Sequence, residues 1–358
     1  MNVLTPIILI FSILGGIDRI LNNRFGLGKE FEKGFILFGT MALSMIGMII
    51  ISPFIAEVLK PLFNVISAIF HIDPSIIPAS LFANDMGGAS LSVLIADNKE
   101  IGMFNALVVS SMMGCTISFT IPVALGMVEQ SRHKQLLFGI LCGIVTIPIG
   151  CFVSGLYCKI PILTLVLNLL PLLIFSLLIA FGLIHFPNAC IKIFSGLGFF
   201  IKIIITIGLV FGIIRFLTGY EVIKGLETIE EGGRICLNAS IVMTGAFPLI
   251  YTISKIIAKP LKKLSKAANI NETAAVGFIS SLATSMTTFE IMNDMDKKGI
   301  VLNSAFAVPS AFIFAGHLAF TMAFDPNYVM PVIIGKLVAG IFALALANLL
   351  YDKTNNMI

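Results

Sequence analysis

The chain has 358 residues, of which 58% are hydrophobic and only 12% are charged, and its formal net charge is +4. Soluble domains carry about 25% charged residues, so this chain could not cover a water-facing surface and a soluble fold is excluded. The small positive charge comes from short loops, and no basic run alternates with aromatic residues, which excludes a nucleic-acid partner. We therefore predict an integral membrane protein.

Apolar runs long enough to cross a bilayer recur along the chain. A hydrocarbon core of about 30 Å needs about 20 apolar residues of α-helix. After an apolar N-terminal segment (residues 1–17), such runs, some with one or two polar interruptions, are joined by short loops and cover residues 34–56, 74–96, 101–128, 135–158, 160–184, 193–214, 235–254, 273–292, 299–324 and 328–350. The predicted fold is all-α: a polytopic helical membrane protein of about 10–12 spans, forming one transmembrane domain over residues 1–358.

A weak internal repeat divides this domain. Lys60-Pro61-Leu62 recurs as Lys259-Pro260-Leu261. A constant offset of 198 residues relates further residues in the spans that follow, pairing Ser75 with Thr273, Ser90 with Thr288 and Asn105 with Asn303. We predict one repeat unit over residues 34–158, connecting spans over 160–234 and a second unit over 235–351. The alternative is that two hydrophobic hairpins resemble each other through composition alone.

The distribution of basic residues predicts the orientation of the two units. The densest clusters lie between Arg19 and Lys33 and between Lys255 and Lys266, and basic residues collect on the cytoplasmic side of membranes. If both clusters are cytoplasmic, the units are inverted repeats, a frequent plan in secondary transporters. A count of eleven spans would place the clusters on opposite sides, so either the count is wrong by one or the rule fails once. We expect the error within residues 191–234.

The first unit carries a polar sequence in the middle of an apolar run, Phe82-Ala83-Asn84-Asp85-Met86-Gly87-Gly88-Ala89-Ser90. The adjacent Gly87 and Gly88 disfavour a continuous helix, since each glycine costs about 1 kcal/mol relative to alanine. Backbone groups freed by a helix break need a polar cavity or protein partners. An ionisable side chain at this depth is costly and indicates a function, so Asn84, Asp85, Gly87 and Gly88 are candidate site residues. The alternative role for Asp85 is to cap the half-helix beginning at Met86.

The matching run of the second unit is rich in hydroxyl groups and ends in an acid. Its candidate pathway residues are Thr284, Ser285, Thr287, Thr288 and Glu290. Alternatively, the hydroxyls bond to carbonyl groups of their own helices or join neighbouring helices, and Glu290 lies near the membrane surface.

The spans that follow the two polar runs supply the remaining candidates, Ser110, Ser111, Thr116, Ser310 and His317. His317 is the one histidine well inside a predicted span, and a packing role is the alternative to a ligand role. The motifs of zinc proteases, nucleotide-binding loops and serine hydrolases are absent, so we predict neither an enzyme nor a cofactor or metal site. Two G-x-x-x-G spacings, at Gly139/Gly143 and Gly208/Gly212, permit close helix packing and leave a homo-oligomer open.

These same motifs carry a family resemblance. The sequences Ala83-Asn84-Asp85-Met86-Gly87-Gly88, Ser110-Ser111-Met112-Met113-Gly114, Ser285 to Met292 and Gly316-His317-Leu318-Ala319 resemble the EutH-type ethanolamine permeases of ethanolamine-utilisation operons. The resemblance extends over almost the whole chain, and its most specific part is Asn-Asp-Met-Gly-Gly. It implies a multi-pass protein of the bacterial cytoplasmic (inner) membrane that imports ethanolamine, and it assigns no residue roles.

The candidate residues agree with such a substrate. Ethanolamine is an alkylammonium ion at neutral pH, so a desolvated carboxylate is the expected counter-charge and a hydroxyl or amide suits its hydroxyl group. Other functions stay open: a transporter of the same architecture for a nucleoside or another amine, a membrane-embedded enzyme, or a scaffold. A choline transporter is disfavoured because the chain has no Trp and only 5 Tyr, too few for an aromatic cage.

Overall fold

The computed structural model describes residues 4–70 and 72–354, except for the side chains of residues 64, 68, 257–267, 352 and 354. Over these residues the chain is helical and contains no β-strand. The helices are α1 (Leu4–Ile20), α2 (Leu27–Ile36), α3 (Phe38–Phe70), α4 (Ile76–Leu81), α5 (Gly88–Ile95), α6 (Lys99–Phe104), α7 (Ile121–Met127), α8 (His133–Tyr157), α9 (Ile162–His185), α10 (Pro187–Thr218), α11 (Ile229–Ala268), α12 (Glu272–Ala283), α13 (Ser285–Glu290), α14 (Lys297–Ser310), α15 (Gly316–Phe324) and α16 (Val329–Thr354). Between α6 and α7 the helix widens into π-turns over Asn105–Gly114 and Thr116–Thr120.

Seven helical runs of the described chain are long and apolar enough to cross a bilayer. They are Leu27–Ser67, Lys99–Met127, Gln130–Tyr157, Ile162–His185, Pro187–Thr218, Ile229–Ile256 and Pro326–Tyr351. The prediction of an all-α, polytopic membrane protein is confirmed. The predicted spans at 74–96 and 273–292 are not continuous helices, and the one at 299–324 is interrupted over residues 311–315.

The run at 74–96 folds back on itself as a hairpin, which we call the first hairpin (Ile76–Ile95). The hydroxyl of Ser92 donates to the carbonyl oxygen of Ser75 over 3.1 Å, and the backbone N–H of Asn98 donates to Oδ2 of Asp73 over 2.9 Å. Both ends of the hairpin are therefore held together, and its tip is the turn between α4 and α5. Because α5 has 8 residues, it is about 12 Å long and cannot cross a bilayer of about 30 Å.

The run at 273–292 forms the second hairpin (Glu272–Glu290), closed in a related way. The backbone N–H of Asn271 donates to Oδ1 of Asp296 over 2.8 Å, and its side-chain amide donates to the carbonyl of Asp294 over 2.8 Å. Asn271 and Asp296 are offset by 198 residues from Asp73 and Asn98. The two hairpins are thus closed by hydrogen bonds between corresponding positions. The carboxylate precedes the first hairpin (Asp73) and follows the second (Asp296).

The two hairpins open on opposite faces of the molecule. The run from α6 to α7 starts at the open end of the first hairpin and ends at that of the second, where the N–H of Glu129 donates to Asn293 over 3.0 Å. The run from α14 to α15 returns, and the hydroxyl of Tyr328 just beyond it donates to the carbonyl of Glu100 over 3.3 Å. We call these two surfaces the Asp73 face and the Asn271 face after the residues that close each hairpin.

Small residues let the surrounding helices pack closely within one chain. A Cβ atom on Gly139 or Gly143 would overlap Ser304 or Val308 of α14, and one on Gly208 would overlap the backbone of α3 at Gly47. Both G-x-x-x-G spacings are therefore used inside the monomer. A homo-oligomer stays a prediction.

Candidate functional site

The tip of the first hairpin is built by the two glycines. Gly87 has a φ of +101°, which favours a residue without a Cβ atom. A Cβ on Gly88 would overlap the carbonyl oxygen of Phe82 and lie 2.8 Å from Cβ of Ser110. The predicted helix break is thus confirmed, with a single 3₁₀ turn over Asn84–Met86 leading into it.

The tip places Asp85 in a cavity and gives it no capping role. Helix α5 begins after Gly87 with no side-chain cap, so the alternative interpretation of Asp85 as a helix cap is wrong. Asp85 lines both a cavity of about 1010 Å³ and a smaller one of about 220 Å³. It forms no ion pair with any side chain that the structure describes. Its carboxylate is therefore available to a ligand that enters either cavity.

The larger cavity runs from the Asn271 face down to Asp85. Its walls are formed by one side of α2 and α3, by α11, by the second hairpin, and by the non-helical residues 311–315 between α14 and α15. Its acidic lining residues, besides Asp85, are Glu30, Glu272 and Glu290, and its basic lining residue among the described side chains is Lys33. Nζ of Lys33 lies 2.6 Å from Glu30, which neutralises it. Asp85 and Glu290 thus give the described lining a negative character, which attracts cations.

Two aromatic rings stand where the cavities meet. Phe119 and Phe312 line both cavities, with their ring centroids 5.6 Å apart in an edge-to-face arrangement. Phe312 lies in the break between α14 and α15 with a φ of +62°, and its N–H donates to the carbonyl of Ser281 over 3.1 Å. The tip region of the second hairpin therefore holds this ring in place.

The smaller cavity is polar at one end. It is lined by Ser44, Ala83, Asp85, Met86, Cys115, Phe119, Phe312 and His317. His317 is buried, and its Nδ1 atom lies 3.1 Å from Nζ of Lys336. The same ammonium group donates to the carbonyl oxygen of Ser111 over 2.6 Å. The site thus joins one carboxylate, one imidazole and one buried lysine.

Asn84 is the polar neighbour of Asp85 at the tip. Its side chain is 1% exposed, and neither its Oδ1 nor its Nδ2 atom has a hydrogen-bond partner among the described residues. The buried hydroxyl of Ser285, at the start of α13, is in the same situation. Buried polar groups are normally paired, but neither Asn84 nor Ser285 is among the residues that line the two cavities.

The other predicted site residues fall into two groups. Thr284, Thr287 and Glu290 line the larger cavity. The remaining hydroxyls lie behind the walls: Ser110 donates to the carbonyl of Ala106, Ser111 to Val108, Thr116 to Met112, Thr288 to Gly277 and Ser310 to Lys336. For Thr288 this is the alternative role predicted for the hydroxyls of the second unit, and the other four hydroxyls bond to helix carbonyls in the same way.

The candidate set drawn from the sequence lacked several lining residues. Phe119 and Phe312 carry no local signal that separates them from the other 28 phenylalanines of the 30 in the chain. Lys336 did carry one, because a lysine in the middle of an apolar span is rare and marks function by default.

Comparison with known proteins assigns the family. Residues 1–350 match the profile of the family described as "Ethanolamine utilisation protein, EutH". The chain is 41% identical to the probable ethanolamine permease EutH of Listeria monocytogenes, with 96% of this chain and 92% of the relative aligned. It is 35% identical to the probable ethanolamine permease EutH of Salmonella typhimurium (98% and 96% aligned) and 34% identical to that of Escherichia coli K12 (98% and 96%). No solved structure matches this chain. The chain belongs to the EutH family of ethanolamine utilisation proteins.

Proposed function

We propose that this protein imports ethanolamine across the bacterial cytoplasmic membrane, with Asp85 as the counter-ion of the substrate ammonium. The observation that carries the proposal is the position of Asp85, which lines both cavities and pairs with no cation of the described chain. The names of the relatives agree with this substrate.

The cavity lining near Asp85 also offers a partner for the hydroxyl group of ethanolamine. Ser44 lines both cavities, so its hydroxyl can hydrogen-bond the substrate hydroxyl, whereas the buried amide of Asn84 has no partner among the described residues and lines neither cavity. Ethanolamine has four heavy atoms, and the best small ligands gain about 1.5 kcal/mol per atom, which limits the binding free energy to about −6 kcal/mol. That corresponds to a Kd of tens of micromolar at best. Reaching it needs both the ammonium and the hydroxyl to be bound.

The two repeat units, residues 34–158 and 235–351, are proposed to be an inverted pair that rocks about the site. The hydrogen bonds that close the two hairpins at positions 198 residues apart, on opposite faces, support this arrangement. Residues near both tips, Asp85 and Thr284, line the same cavity. Binding sites of transporters built from inverted repeats are formed at such broken helices.

The larger cavity is proposed to open towards the cytoplasm. Basic side chains are concentrated on the Asn271 face, where Arg132 donates to the carbonyl of Met295 over 2.8 Å and Lys298 lies over the ring of Tyr351. The loop after α1, with Arg24, approaches Tyr251 at the mouth of the same cavity. This supports a cytoplasmic position for the first basic cluster, whereas most side chains of the second cluster lie outside the described residues. The structure would then be the inward-facing form.

The test is uptake of labelled ethanolamine into proteoliposomes containing the wild type, Asp85→Asn or Glu57→Gln. Loss of a buried charge partner costs about 2–5 kcal/mol, so we expect the Asp85 variant to need at least about thirty-fold more substrate. Glu57 is exposed on α3 outside both cavities, and its variant controls for the loss of one carboxylate. Normal uptake by a folded Asp85→Asn protein would refute the assignment.

A further inference from the structure

Lys336 is a buried cation without a carboxylate partner. It lies in the apolar helix α16 with a side chain that is 1% exposed, and it forms no ion pair with a described residue. Its ammonium group instead donates to the carbonyl of Ser111 and to Nδ1 of His317. A buried charge held by neutral acceptors alone carries a large desolvation cost. The packing of α16 therefore does not explain why a lysine is present.

The groups around Lys336 connect it to the proposed substrate site. The titratable groups that interact with it electrostatically are Asp85 at the first hairpin tip, His317 on α15, and the thiols Cys115 and Cys151. Asp85 is the one carboxylate in this set. His317 lines the smaller cavity together with Asp85. The hydrogen bond to His317 therefore links Lys336 to that cavity.

We call Asp85, His317 and Lys336 the charged centre. Its net charge in the empty and loaded protein shows that substrate binding must change the protonation of one group. With a protonated Lys336 and an ionised Asp85 the empty centre is neutral. Adding ethanolammonium beside Asp85 would leave one uncompensated positive charge deep in the protein, which is unfavourable in a medium of low dielectric constant. Neutrality returns if Lys336 becomes an uncharged amine.

We propose that Lys336 is a resident cation that gives up one proton for each ethanolammonium ion bound at Asp85, so that the permease exchanges ethanolammonium for a proton. This inference rests on the proposed function. With Asp85 ionised, two forms of the centre are neutral: the empty protein with protonated Lys336, and the loaded protein with neutral Lys336. Both can reorient across the membrane, and the two charged forms do so more slowly.

The proton has a defined route. One N–H bond of the Lys336 ammonium breaks, its electron pair stays on Nζ, and the proton moves to Nδ1 of His317 over the 3.1 Å hydrogen bond. Because Nδ1 is the acceptor, the neutral imidazole carries its own proton on Nε2. That proton leaves to water in the smaller cavity, which restores a neutral His317. One proton is released for one ammonium bound, and the substrate keeps all its own protons.

Binding and transport experiments on the full-length protein test this exchange. In weakly buffered detergent solution, a pH-indicator dye should report about one proton released per ethanolamine bound by the wild type, and none by Lys336→Gln. In proteoliposomes, a potassium-diffusion potential of 100 mV should leave wild-type accumulation unchanged. The same potential should raise accumulation by Lys336→Gln about fifty-fold, because one net charge then crosses the field.

Two further variants separate this role from a structural one. Lys336→Arg keeps a cation that cannot lose its proton, so we expect it to fold but to bind ethanolamine at least tenfold more weakly, whereas Lys336→Gln, which carries no charge, should not show this loss. Lys202→Gln removes an exposed lysine from the middle of α10 and should keep the one-to-one proton release.

The outcomes discriminate between the two proposals. Wild-type binding without proton release, or equal release by Lys336→Gln, overturns the exchange and leaves ethanolamine transport intact. Absence of ethanolamine binding by the folded wild type overturns the proposed function itself. If Lys336→Gln does not fold, wild-type affinity of Lys336→Arg is the result that refutes the exchange.

Discussion

A substitution of Glu290 tests whether this exposed acid attracts the substrate to the cavity while the deeper Asp85 binds it. Glu290 ends α13 on the wall of the larger cavity and is exposed, whereas Asp85 is partly buried where the two cavities meet. Replacing Glu290 by Gln keeps its size and removes one negative charge from the approach. We expect a higher KM for ethanolamine and an unchanged kcat, because the substrate leaves Glu290 behind before it is transported.

The size of the effect follows from the exposure of the side chain. Two unit charges 4 Å apart in water interact by about 1 kcal/mol, which corresponds to a change in KM of at most about fivefold. Glu30 and Glu272 still line the cavity in this variant. The Debye length falls from about 8 Å at 0.15 M salt to about 3 Å at 1 M, so the effect should vanish at high salt.

The assay is initial uptake into proteoliposomes across a range of ethanolamine concentrations at low and high salt, with Glu57→Gln as the control. A fall in kcat, or an increase in KM that persists at 1 M salt, would contradict the role of Glu290 as an approach residue. Loss of binding in Glu290→Gln together with only weakened binding in Asp85→Asn would mean that the roles of the two acids are reversed.

Two further predictions concern the hairpin tip and the orientation of the chain. Gly88→Ala should lower the thermal unfolding temperature and the yield of folded protein, because its Cβ overlaps the carbonyl of Phe82. The control Gly233→Ala has no atom within 4 Å of its Cβ and should be tolerated. Equal stability of the two variants would contradict the packing at the tip. In a cysteine-free background, an impermeant thiol reagent applied outside intact cells should label Asp97→Cys on the Asp73 face and not Arg24→Cys, and labelling of both would remove the basis of the inverted arrangement.

Much of the site could be predicted from local sequence because the signals are local. The Asn-Asp-Met-Gly-Gly sequence predicts a helix break beside an acid, and both are present, since Gly87 adopts a positive φ that other residues disfavour. Glu290, Thr284 and Thr287 were also found as cavity residues. The hydroxyls of Ser110 and Thr116 could not be sorted in this way, because a serine or threonine in a helix can bond to its own helix or face a cavity with the same sequence.

The composition by itself determined that the chain is a membrane protein, because burying this many apolar residues without covering charge is possible only in lipid, and the length of the apolar runs determined that it is helical. Hydropathy could not decide whether residues 74–96 and 273–292 cross the bilayer or turn back, since a run of apolar residues has the same hydropathy in either case. That choice depends on hydrogen bonds such as those from Asn98 to Asp73 and from Asn271 to Asp296, which join residues 25 apart. The partnership of Lys336 with Ser111, 225 residues away, exists only in the folded protein, because packing alone brings that lysine and His317 to the cavity that Asp85 lines.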